Sequence, residues 1–60
     1  MFVLLSPQNT YFVEFLLNHL ALSSSISEAM VFKEIETAKK FKFMLKEQVN
    51  IDFSINTYIE

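Results

Sequence analysis

The chain contains no cysteine, no glycine, no tryptophan and no arginine, and its single proline is Pro7. Without cysteine it forms no disulfide and no thiolate metal site. The lone histidine, His19, does not make a zinc site by itself. Without glycine it lacks the backbone freedom that phosphate-cradling loops and nucleophile elbows require, which argues against nucleotide-binding enzymes of those classes and against elbow-type hydrolases. Without arginine it lacks the usual bidentate reader of guanine. Long apolar runs are also missing. Through residue 27 the only charge is Glu14, yet Ser6-Pro7-Gln8-Asn9-Thr10 and Asn18-His19 interrupt the apolar stretches before a bilayer-spanning length is reached. No basic residue precedes the first apolar stretch and no small-x-small cleavage site follows it, so a signal peptide is not expected. The chain begins with Met and reads as a complete gene product, with no membrane role and a cytoplasmic location expected.

What is present is apolar bulk. Of 60 residues, 52% are hydrophobic, and seven are phenylalanine. That length allows a single domain, residues 1–60, and a chain so short buries only about 60% of the surface its unfolded form exposes. The apolar load excludes disorder. The net charge of −2 is too small to mark a nucleic-acid binder or a polyanion.

Two elements are plain in the pattern. Near the C-terminus, Val49, Ile51, Phe53, Ile55 and Ile59 alternate with Asn50, Asp52, Ser54, Asn56 and Glu60, the period of a half-buried strand. Upstream, Val31, Ile35, Ala38, Phe41 and Leu45 recur at helical spacing, and Ser25 with Glu28 fits a capping box. A helix over residues 26–48 is expected, with a break near Phe32–Lys33 as the alternative. Phe2-Val3-Leu4-Leu5 reads as a short strand. Beyond it, residues 7–22 fit two periods. As a helix start, Ser6 is the N-cap and Pro7 the first helical residue. As a hairpin, Pro7 occupies a turn, Thr10 to Phe15 forms a second strand, and Asn18-His19 turns into a third from Leu20 to Ser23. The density of Tyr, Phe, Val and Thr favours the hairpin.

Ala29-x-x-Phe32 followed by Ala38 and Phe41, after an uncharged hairpin and before a strand, resembles a pattern in small phage and mobile-element proteins of strand, strand, short strand, helix, strand form. Those proteins place Ser or Thr after the Phe, whereas Lys33-Glu34 stands here, a departure that favours one long helix. The resemblance implies an anti-defence role, such as an anti-CRISPR-like inhibitor.

No constellation for catalysis is legible. His19 has no acidic neighbour in sequence, and Glu34 and Glu36 fall on different helix faces. The expected protein is therefore not an enzyme and carries no cofactor and no metal. All five basic residues are lysines between positions 33 and 46. Lys39, Lys42 and Lys46 could contact phosphates, but so few contacts give only weak, salt-sensitive binding. The more informative residue is Phe43, which falls about 140° from Ala38 on a helical wheel, away from the core side. In a continuous helix, Phe32, Glu36, Lys39 and Phe43 share a stripe. A large aromatic there needs cover, from this chain or from a partner.

The expected fold is α+β, a small antiparallel sheet of three or four strands with one long helix on one face; strand-helix-helix-strand is the alternative. The expected function is protein binding through Phe32, Glu36, Lys39, Lys42, Phe43 and Lys46, and the resemblance implies occlusion of a host enzyme or CRISPR effector complex. A homodimer is expected as well. A nucleic-acid-binding regulator and a purely structural homo-oligomer are the competing readings.

Overall fold

The computed structural model describes residues 1–59. Strands β1 (Phe2–Leu5), β2 (Tyr11–Leu16) and β3 (His19–Ser23) lead through one turn of 3-10 helix (Ile26–Glu28) to helix α1 (Ile35–Val49) and strand β4 (Ser54–Thr57). The four strands form one antiparallel sheet in the order β3-β2-β1-β4, and the chain is α+β. Among the described residues no helix is long and apolar enough to cross a membrane.

The hairpin reading of the N-terminal third holds, and its two turns differ in chemistry. Between β1 and β2, Pro7 presets the backbone of a turn in which the Asn9 amide donates to the Ser6 carbonyl at 3.0 Å. Asn9 then takes a left-handed conformation, φ 64°, which asparagine tolerates. Ser6 anchors this loop from within, only 3% exposed. Its hydroxyl meets that of Thr10 at 2.6 Å and accepts from the amides of Thr10 at 3.2 Å and Gln8 at 3.3 Å. Between β2 and β3, Leu16 pairs with His19, so the turn residues are Leu17 and Asn18, with φ 50° and 64°. The turn is thus one residue earlier than Asn18-His19, and His19 opens β3.

A register shift between Phe12 and Glu14 lets Phe12 and Phe15, three residues apart, both pack with the core. A bulge inserts one residue and thereby resets which side chains face inward. Without it, period two would send one of these rings to the opposite face.

The long helix expected over residues 26–48 is corrected. Ser25 caps only the 3-10 turn and makes no side-chain cap bond; the Glu28 carboxylate accepts instead from the Ser23 hydroxyl. Residues 29–34 are non-helical, and α1 begins at Ile35. The physical reason is visible in the sheet. β1 and β2 share the single register pair Leu5 and Tyr11. The segment after the 3-10 turn bonds to both strands, the Met30 amide donating to the Phe12 carbonyl at 2.9 Å while Phe32 and Phe2 exchange two bonds of 2.8 Å. Backbone groups that a helix would satisfy internally are satisfied by the sheet.

The expected C-terminal strand is likewise shorter. Val49 ends α1, and Asn50 stops it in a left-handed conformation, φ 56°. Ile51 and Phe53 pack into the core from irregular chain, Ile55 does so from β4, and Ile59 is exposed. Glu60, assigned to the wet side of that strand, lies outside the described residues.

The main core cluster consists of Leu4, Phe12, Phe32, Ala38, Leu45 and Phe53, and Val3 is fully buried outside it. Phe12 lies at its centre, with ring centroids 6.5 Å from Phe32, 6.0 Å from Phe41 and 6.1 Å from Phe53. Helix α1 contributes Ala38 and Leu45, with Phe41, Met44 and Val49 at the margin. Ile35, counted with that face from its spacing, sits at the helix start and is exposed, and Val31 precedes the helix altogether.

Candidate functional site

Helix geometry decides where Phe43 goes. Successive residues turn by about 100°, so Phe41 and Phe43 lie about 160° apart and only one can face the sheet. Phe41 packs on the core, which sends Phe43 outward, where it is 68% exposed. It lines a concavity of about 410 Å³ together with Lys39, Lys42 and Lys46 of α1, Asp52 of the segment before β4 and Ile55 of β4.

The lysines are not equivalent. The Lys42 ammonium donates to the Asp52 carboxylate at 2.9 Å and to the Phe53 carbonyl at 2.5 Å, tying the helix to the start of β4. The hydrogen bond and charge of Lys42 hold the Asp52 carboxyl below its ordinary range, with a smaller push in the same direction from Lys46. Lys39 stands 3.6 Å from Glu36 one helical turn away, both side chains well exposed, a pair of the kind that contributes little to stability. Lys46 makes no ion pair among the described residues.

Of the residues singled out by pattern, α1 therefore brings Lys39, Lys42, Phe43 and Lys46 around one groove, with Glu36 beside Lys39. Phe32 does not join them. It precedes the helix, is 4% exposed, and pairs its backbone with Phe2. The stripe of Phe32, Glu36, Lys39 and Phe43 required a continuous helix, and the sheet's claim on residues 29–32 removes that continuity. Met30 and Met44 serve as core filler.

Asp52 and Ile55 were not singled out as site residues. Their alternation placed them on the wet and dry sides of a strand, but nothing local shows that this strand lies beside the lysine face of α1. His19 stands exposed at the start of β3, the strand at the opposite edge of the sheet from β4. Among the described residues no three histidine, aspartate or glutamate side chains gather as a metal site. The arrangement can offer an aromatic anchor, an apolar floor at Ile55 and positive charge along one rim.

No protein-family model, curated protein or solved structure matches the chain.

Proposed function

We propose that the protein is a non-enzymatic protein-binding module that docks through the groove between α1 and β4. The observation that carries this reading is Phe43, a large aromatic left 68% exposed over a concavity rimmed by lysines. Aromatic anchors beside a pocket dominate the energy of protein interfaces, and flanking charges set orientation and encounter rate. Occlusion of a site on a host enzyme or CRISPR effector complex, the role implied by the resemblance to phage proteins, would use such a surface.

The nucleic-acid reading is weaker on geometry. It needs Lys39, Lys42 and Lys46 on phosphates, and Lys42 is already committed to Asp52 and Phe53. The test is affinity capture from the native host with the wild-type protein and with Phe43→Ser, followed by mass spectrometry. The ring is mostly in solvent, so F43S keeps its melting temperature within a few degrees. A specific protein captured by the wild type and lost with F43S supports the proposal. Identical captured sets, or none, refute it.

A further inference from the structure

The groove borders an unpaired sheet edge. The order β3-β2-β1-β4 leaves β4 at one end. Which of its backbone groups face outward follows from β1. Phe2 commits its own N–H and C=O to Phe32, so the bonds from β1 to β4 come from the alternate residues Val3 and Leu5, opposite Asn56 and Ser54. The Tyr58 amide continues that series, donating to the Met1 carbonyl at 2.6 Å. Ile55 and Thr57 therefore turn their N–H and C=O groups away from the sheet, with no backbone partner among the described residues. The next outward carbonyl, that of Phe53, is the one that takes the Lys42 ammonium. Lys42 thus closes the edge at its start and leaves two residues open.

We infer that this edge accepts an extended, acidic segment of a partner protein as a fifth strand, with every second side chain entering the groove beneath Phe43. The inference rests on the docking function proposed above and specifies its mode. Strand addition takes affinity from main-chain bonds and specificity from pockets for alternate side chains, and both are present here. Charge selects the occupant. The groove's lining carries three lysines against one carboxylate, Asp52, which Lys42 already engages; Glu36 stands beside Lys39 at the rim, and Lys46 has no ion pair among the described residues. A second copy pairing β4 with β4 about a two-fold axis would set lysine row against lysine row, whereas acidic side chains meet Lys46 favourably and compete with the exposed Glu36 for Lys39.

The experiment uses the full chain and a blocked heptapeptide of alternating Glu and Val, followed by NMR titration and amide exchange. The same peptide with Lys for Glu, and an oligothymidylate, serve as comparison probes. Thr57→Pro removes an outward donor without touching a bond to β1, a position where proline is tolerated on an edge strand. Thr57→Val retains the donor. The acidic peptide is expected to bind, to slow exchange of the Ile55 and Thr57 amides, and to lose about tenfold in affinity with T57P and with F43S but not with T57V. Should T57P fail to fold, the exchange of those two amides in the wild type decides the question. Peptide binding that F43S abolishes while the two amides stay unprotected overturns strand addition and leaves the docking surface standing. No binding, or equal binding of the Lys peptide, overturns the acidic occupant. Preference for the oligonucleotide overturns both readings. A dimer that forms without peptide and dissociates with T57P makes the second copy the occupant and overturns the partner segment.

Discussion

Leu17 offers a test of the backbone at a place where side-chain packing cannot confuse the result. It is 91% exposed, and it occupies the first position of a two-residue hairpin turn with φ 50°. A residue bearing a Cβ pays roughly 1–2 kcal/mol in that left-handed region. Leu17→Gly removes this strain. Glycine also gives the unfolded chain more freedom to lose, a penalty of about 0.5–1 kcal/mol. Little burial is forfeited, because the side chain is in solvent already. The difference is a net stabilisation of about 0.5–1 kcal/mol, which for a domain of this size raises the melting temperature by roughly 2–8 °C. Asn9 supplies the internal control. It has a similar φ of 64°, but asparagine tolerates that region, so Asn9→Gly relieves little strain and should lower stability by about 0.5–1 kcal/mol through the freer unfolded chain. Thermal and urea unfolding followed by circular dichroism measure both. A melting temperature for L17G that is unchanged or lower, with N9G behaving the same way, would refute the claim that Leu17 stores strain.

Three further outcomes are expected. Phe12→Ala deletes the ring shared by three aromatic neighbours at an expense of about 3–5 kcal/mol, comparable with the whole stability of roughly 3–9 kcal/mol for 60 residues; a cooperative melt near the wild-type temperature would contradict that central placement. Ser6→Ala leaves the buried side of the first turn short of an acceptor and should destabilise by about 1–2 kcal/mol in urea titration, so an unchanged midpoint would show the hydroxyl is idle. The Asp52 carboxyl is depressed chiefly by its hydrogen bond to Lys42 and by the lysine's charge, so its share of stability is full above the ordinary aspartate value of 3.8 and disappears as pH falls through the lower folded-state value. Asp52→Asn should flatten the loss of melting temperature below about pH 4, and identical acid profiles for the two proteins would count against the Lys42 clamp.

The fold was legible wherever period and turn chemistry spoke together. Pro7 and the β-rich run Thr10 to Phe15 marked the hairpin, and Ala38, Phe41 and Leu45 marked the helix face that packs on the sheet. Two features lay beyond reach for a shared reason. The segment at Met30 and Phe32 is held extended by bonds to Phe12 and Phe2, some 18 and 30 positions upstream. The groove depends on Lys42 reaching Asp52 and Phe53 after the chain reverses at Asn50. In each case a tertiary hydrogen bond overrides a local preference, and no window of neighbouring residues contains both partners. The bulge after Phe12 is a third instance. It leaves no signature in a glycine-free strand, yet it brings Phe15 onto the core side.

That geometry sharpens the significance of Phe43. Several large aliphatic residues are exposed, among them Leu16, Leu17 and Ile59, but of the phenylalanines only Phe43 is. Phe12, Phe32 and Phe53 are buried, and Phe2, Phe15 and Phe41 pack against them, so six of the seven phenylalanines belong to one core. The seventh is outside because Phe41 already occupies the inward direction of that helical turn. The fold places no demand for an aromatic at position 43, and its neighbours one helical turn away, Lys39, Lys40, Lys46 and Glu47, are charged, as on a solvated helix face. A ring outside the core, lining a groove beside a sheet edge with two residues unpaired among the described residues, is what the proposed docking of a partner segment on that edge would account for.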